Sequence, residues 1–250
     1  MSWQFSEPRQ SLQSRLSLPA GTIHLWPAEL DRVDDEAPAF QVLSIDERHR
    51  ALQFRFDRDR RRFTIARGTL RAVLAKYLAC KANEITFSYG PYGKPEVECE
   101  GPQFNLSHSG DLAVIVVSAQ APLGVDVERV NRTMDSKALL SSFASARERD
   151  AFAALSQEDC TTAFFYWWTR KEAVQKALGI GHSLPMGSFD VSILPDDVSV
   201  TEVRSAEFCQ CITLQNIPLA AGYIGSLAVC GSAHSIETRH VRPLTWMPGT

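Results

Sequence analysis

Apolar positions in this chain follow a helical period in some stretches and a strand period in most of the rest. Phe63, Ala66, Leu70, Val73, Leu74, Tyr77 and Leu78 recur three or four residues apart, which gathers them on one face of a helix and leaves the arginines on the other. Upstream, Ser44-Ile45-Asp46-Glu47 has the form of a capping box, in which the serine oxygen and glutamate carboxylate satisfy exposed amides; it predicts a helix through about Arg55. Strands are predicted at Thr22 to Trp26, Glu84 to Phe87, Gln103 to Leu106, Leu112 to Ser118 and Leu123 to Val130, with a turn at Gly90-Pro91-Tyr92-Gly93-Lys94-Pro95. Residues 136–154 and 159–178 return to helical spacing, and Gly179-Ile180-Gly181 closes the second helix because glycine tolerates the left-handed conformation. Alternating or β-branched runs at Phe189 to Ile193, Val198 to Val203, Cys209 to Leu214, Tyr223 to Cys230 and Ile236 to Val241 predict the last strands. The Pro-, Ser- and Gln-rich residues before Thr22 are expected to be loosely ordered at their extreme end.

Helix then strands, followed by helix then strands again, predicts an α+β fold of two similar halves with a seam near Ala121-Pro122. The expected subdomains are 1–122 and 123–250. No Gly/Ser linker separates them, so they are expected to pack tightly.

Composition narrows the function. The 250 residues are 44% hydrophobic and 22% charged, in the range of a globular chain with a substantial core. A net charge of -3 argues against a dedicated nucleic-acid binder and leaves any anion site to local clustering. Runs such as Leu112 to Val117 are too short to span a membrane, and the N-terminus lacks the apolar stretch of a secretory signal. No membrane partner and a cytoplasmic location are therefore expected. Six scattered cysteines without paired spacing predict free thiols, and Cys209-Gln-Cys211 reads as core-facing strand positions.

Chemistry concentrates in three segments: Phe104-Asn105-Leu106-Ser107-His108-Ser109, Gly124-Val125-Asp126-Val127-Glu128, and Trp168-Thr169-Arg170-Lys171-Glu172-Ala173-Val174-Gln175-Lys176. In a strand, Asp126 and Glu128 point to one face while Val125 and Val127 anchor the other, so the two carboxylates could share a hard cation; solvated acids at a strand end would have the same spacing. Glu172 and Lys176 lie one helical turn apart, the spacing of a surface ion pair, but Trp167 and Trp168 would seat that helix and fix where Glu172 points. Ser107 and His108 adjoin in an extended segment with no nucleophile elbow, which disfavours a serine hydrolase. Arginines from Arg48 to Arg71 are interrupted by Asp46, Glu47, Asp57 and Asp59, and most of that run is expected to be solvated helix surface.

Together these strings closely resemble the signature of the 4′-phosphopantetheinyl transferases, specifically the long, single-chain type that activates carrier proteins of peptide, polyketide and fatty-acid synthases. The resemblance covers most of the chain, from the arginine helix through Gly181. It implies two pseudosymmetric α+β subdomains with the active site between them. It implies Mg²⁺ held by Asp126, Glu128 and Glu172, and coenzyme A as co-substrate, contacted by Arg50, Arg62, Lys94, Ser107, His108 and Lys176. Glu172, Lys176 and Asp126 become the expected catalytic residues. Glu47 stands where the family often has a lysine. The expected partner is an acyl or peptidyl carrier protein, met by an apolar patch within 131–155 that includes Leu139, Leu140, Phe143 and Phe152, and the chain is expected to be a monomer. A Mg²⁺-dependent nucleotide phosphohydrolase and a non-catalytic carrier-binding scaffold are the rival readings.

Overall fold

The computed structural model describes residues 15–240 apart from 34, 132, 134, 135, 196, 197 and 205–208. Among these, the chain folds into two four-stranded sheets, a short hairpin and six α-helices. The first sheet contains β1 (Thr22–Glu29), β5 (Leu112–Ser118), β4 (Gln103–Ser109) and β10 (Ser235–Thr238) in the order β10-β1-β5-β4. The second contains β6 (Leu123–Arg129), β9 (Tyr223–Cys230), β8 (Cys209–Asn216) and β7 (Val198–Arg204) in the order β6-β9-β8-β7, antiparallel throughout. The hairpin pairs β2 (Phe87–Tyr89) with β3 (Pro95–Val97), and Gly93, at φ 83°, makes the turn that carries Lys94.

Helices α1 (Ala37–Gln41), α2 (Ile45–Leu52) and α3 (Asp57–Leu78) precede the hairpin, and α4 (Ser136–Phe143), α5 (Ala146–Ala153) and α6 (Gln157–Leu178) follow β6. The amphipathic face read from Phe63 to Tyr77 is the buried face of α3: Leu70, Val73, Leu74 and Tyr77 pack with Trp26, Phe104, Ile115 and Val117 of the first sheet. Helix α6 packs Phe164, Trp167 and Val174 with Ile212, Leu214 and Ala228 of the second sheet. A third cluster, with Ile23, Leu25, Val114 and Val116 from one sheet and Val125, Val127, Leu227 and Val229 from the other, joins the two sheets. Burying that shared apolar surface explains why no linker is needed at the seam.

One device occurs twice. Glu47, from the capping box that opens α2, is buried and takes Arg71 Nε at 2.5 Å; Arg71 also donates to the Ala82 and Ile85 carbonyls beyond α3. About a hundred residues later, Glu148, from the Ser145 capping box that opens α5, is buried and takes Lys171 Nζ at 2.7 Å; Lys171 also donates to the Met186 and Phe189 carbonyls beyond α6. Arg71 and Lys171 sit at the same depth in two 22-residue helices.

Several local expectations need correction. The helix read over 136–154 is two helices, because Ser145 caps a new one. Phe189 to Ile193 is irregular rather than a strand: Phe189, Val191 and Ile193 alternate inward against the core, and among the described residues no strand pairs with them through a backbone ladder. Glu84 lies in a 3₁₀ turn, and the strand starts at Phe87. Glu47, Arg67 and Arg71 are not solvated surface, since Arg67 and Arg71 converge on the buried carboxylate. Cys211 is exposed rather than core-facing, and it is a free thiol along with Cys80, Cys99, Cys160 and Cys230. The side chain of Cys209, the N-terminal end and Val241 lie outside the described residues. Strand β10, near the other end of the chain, pairs in parallel with β1 in the first sheet.

Candidate active site

Strand β6 lies between β9 and β4, but its two neighbours hold it differently. A regular antiparallel ladder joins it to β9 from Leu123–Val229 to Arg129–Tyr223. Toward β4 the bonds come from side chains: Asn105 Oδ1 accepts Val125 N–H at 3.0 Å, Ser107 Oγ accepts Val127 N–H at 3.3 Å, and Ser109 Oγ accepts Arg129 N–H at 3.1 Å. The alternating polar residues of Asn105-Leu106-Ser107-His108-Ser109 therefore answer three amides in turn. Both hydroxyls also donate, Ser107 to Asp126 Oδ1 at 2.9 Å and Ser109 to Glu128 Oε2 at 2.7 Å.

Gly124 lets α6 close down on the same strand. A Cβ there would stand 2.2 Å from the Ala173 carbonyl oxygen and 2.3 Å from the Ala177 amide nitrogen, distances no side chain survives. Trp167, fully buried, and Trp168, half-buried and stacked on Phe164, seat the other side of the helix. The consequence is a cleft of about 450 Å³ lined by Leu106, Ser107, His108, Asp126, Glu128, Trp168, Glu172 and Lys176. Three segments remote in sequence thus meet where the sheets and α6 come together.

Within the cleft, Lys176 Nζ sits 2.6 Å from Asp126 Oδ1 and 3.2 Å from Ser107 Oγ. The other carboxylate oxygen, Asp126 Oδ2, is buried without a hydrogen-bond partner. Burial pushes the Glu128 carboxyl above its usual range; Asp126 and Glu172 add to the rise, and Ser109 and Lys176 oppose it. Desolvation within the cleft, then Lys176 and Arg62, hold the His108 imidazole below its usual value, and Asp126 opposes them.

The other expected contacts are more dispersed. Arg62 makes a bidentate pair with Asp31, at 2.9 and 2.5 Å, and its charge is felt at His108. Arg50 is exposed, with its guanidinium over the Phe63 ring, and does not line the cleft. Lys94 donates to the carbonyls of Leu123 and Ala177, both at 3.0 Å, and burial lowers its pKa. It ties the start of β6 to the end of α6, and its ammonium is already engaged. Of the apolar patch, Leu140 and Phe152 belong to the core, Leu139 is half-buried and Phe143 is 44% exposed.

Sequence reasoning passed over Ser109 as a contact to Glu128, Asn105 as a bridge and Gly124 as the point of closest helix approach. The alternation in Asn105, Ser107 and Ser109 was the available signal. The donor set suits a hard divalent cation, because it offers only oxygen ligands and includes one orphaned buried carboxylate oxygen. As the side chains stand, with Lys176 on Asp126, no three His, Cys, Asp or Glu among the described residues are close enough to share one ion. Among the described residues no helix is long and apolar enough to cross a membrane.

Comparison with known proteins gives the family of the chain. A model of the 4′-phosphopantetheinyl transferase superfamily matches residues 122–228, and a model of the N-terminal region of 4′-phosphopantetheinyl transferases matches residues 33–120. The chain is 37% identical over 196 residues to the 4′-phosphopantetheinyl transferase HetI of Nostoc sp., covering 76% of this chain and 82% of that protein. It is 29% identical over 192 residues to the 4′-phosphopantetheinyl transferase Sfp of Bacillus subtilis, covering 76% and 82%. A 4′-phosphopantetheinyl transferase of Bacillus pumilus is 30% identical over 228 residues, 88% of this chain and 94% of that one. The chain belongs to the 4′-phosphopantetheinyl transferase superfamily and is an enzyme of its long, single-chain type.

Proposed function

We propose that this enzyme transfers the 4′-phosphopantetheine arm of coenzyme A to a serine hydroxyl of an acyl or peptidyl carrier protein. The observation that carries the reading is the single cleft lined by Asp126, Glu128, Glu172, Lys176, Ser107 and His108. Asp126, Glu128 and Glu172 would hold Mg²⁺, which when bound offsets the negative charge of the pyrophosphate.

The carrier serine Oγ attacks the phosphorus that bears the pantetheine, and the bond from that phosphorus to the bridging oxygen breaks. Adenosine 3′,5′-bisphosphate leaves with the bridging oxygen and its charge. Glu172 receives the serine proton, because a carboxylate in the cleft is both ionisable and near the reacting centre. Lys176, released from Asp126, neutralises charge growing on the leaving group. His108 contributes a hydrogen bond to phosphate, and Ser107 donates another once its one hydroxyl proton turns away from Asp126. Arg62, on the His108 side, and Arg50 would meet the 3′-phosphate; Lys94 would reach the phosphates with the N–H that its two carbonyl bonds leave over.

In this reading residues 1–122 contribute mainly coenzyme A contacts and residues 123–250 the acids and α6. Exposed Phe143 offers the carrier an apolar contact. The enzyme acts as a cytoplasmic monomer.

One assay tests the reading. The protein is incubated with coenzyme A, Mg²⁺ and an apo carrier protein, and the carrier's intact mass is measured. A gain equal to the phosphopantetheine arm is expected. Nucleotide breakdown without a mass gain would replace the transferase with a phosphohydrolase, and neither change would leave a carrier-binding scaffold.

A further inference from the structure

The side-chain bridge between β4 and β6 holds more than two strand edges. Ser109 Oγ stands between the Arg129 amide, which it accepts at 3.1 Å, and Glu128 Oε2, to which it donates at 2.7 Å. Ser107 makes the matching pair of bonds to the Val127 amide and Asp126 two residues earlier. Since each hydroxyl has one proton and spends it on a carboxylate, the backbone amide fixes the direction of that donation. We propose that Ser109 is a positioning residue that holds Glu128 oriented into the cleft for the divalent cation. The inference rests on the proposed reading that these acids hold Mg²⁺.

The two serines differ in how cleanly they can be tested. Ser107 is buried, so truncation would orphan the Val127 amide inside the protein. The Ser109 bridge to Arg129 N is exposed, and water can replace it when the hydroxyl is removed. Ser109→Ala therefore removes the hold on Glu128 while leaving the fold intact.

The probe is Mn²⁺, titrated by electron paramagnetic resonance with coenzyme A present, in the wild type, Ser109→Ala and Ser109→Thr. Loss of an outer hydrogen-bond partner weakens metal binding by about 10- to 100-fold, and that weakening is expected for Ser109→Ala. Ser109→Thr keeps the donor and is expected to restore affinity to the wild-type value. Thermal melting without metal checks the fold. If the alanine variant melts below the assay temperature, Ser109→Cys, which keeps the volume but donates weakly, is read instead with weakened binding again expected. Equal Mn²⁺ affinity in wild type and Ser109→Ala overturns the positioning role alone. Absence of Mn²⁺ binding to the wild type overturns the metal reading beneath it.

Discussion

The two buried glutamate pairs perform one structural task with different chemistry. In the first half Glu47 faces two arginines, Arg67 and Arg71; in the second Glu148 faces a single lysine, Lys171. Each pair ties the start of a short helix to the middle of a long one and to the carbonyls beyond it. The residue after the buried cation is Ala72 on α3 but Glu172 on α6, and only α6 brings a carboxylate to the cleft. Five residues beyond the buried cation both helices carry a lysine, Lys76 and Lys176, so it is the carboxylate of Glu172 that sets α6 apart from α3.

Removing either buried carboxylate should be costly. Breaking a buried pair from one side costs roughly 3–5 kcal/mol, so Glu148→Gln and Glu47→Gln should both lower the urea midpoint strongly. Their pH dependences should separate them. Burial already lowers the Lys171 pKa, and Glu148 opposes that drop. With Glu148 gone, the unfolded chain binds more protons than the folded one, so the stability of Glu148→Gln should recover as pH rises into the alkaline range. Arginine does not deprotonate, and Glu47→Gln should show no such recovery.

The acid side sharpens the same contrast at smaller scale. Burial raises the Glu47 carboxyl, but Arg67 and Arg71 outweigh it and hold the group below its ordinary 4.5. A depressed carboxylate contributes stability above the unfolded value and loses it as pH falls through the folded one. The wild type should therefore destabilise as pH drops below 4.5, and Glu47→Gln should flatten that slope.

The smallest effect lies at the helix ends. Helix α3 stops at Ala79 with φ 52°, and α6 stops at Gly179 with φ 68°. A left-handed alanine costs roughly 1–2 kcal/mol. Ala79→Gly should thus raise the melting temperature, and Gly179→Ala should lower it.

Local signals carried much of this fold. The Ser44-Ile45-Asp46-Glu47 box and the spacing from Phe63 to Tyr77 gave α2 and α3, because capping and amphipathic burial are short-range. The second box, Ser145 to Glu148, was written in the same form yet was absorbed into a longer helix. Phe189 to Ile193 alternates like a strand only because its apolar residues fill a core, which periodicity cannot distinguish from pairing. The partners of Glu47 and Glu148, and the pairing of β10 with β1, depend on contacts made after collapse. At the cleft the residue types were legible; the bridging by Asn105 and Ser109 and the engagement of Lys94 with two carbonyls were not.

The most direct test of the account is the single-turnover rate of arm transfer from coenzyme A to an apo carrier protein by Glu172→Gln at saturating Mg²⁺. Loss of the proton acceptor should lower that rate by about 10²- to 10⁴-fold. Transfer at the wild-type rate would contradict the role assigned to α6.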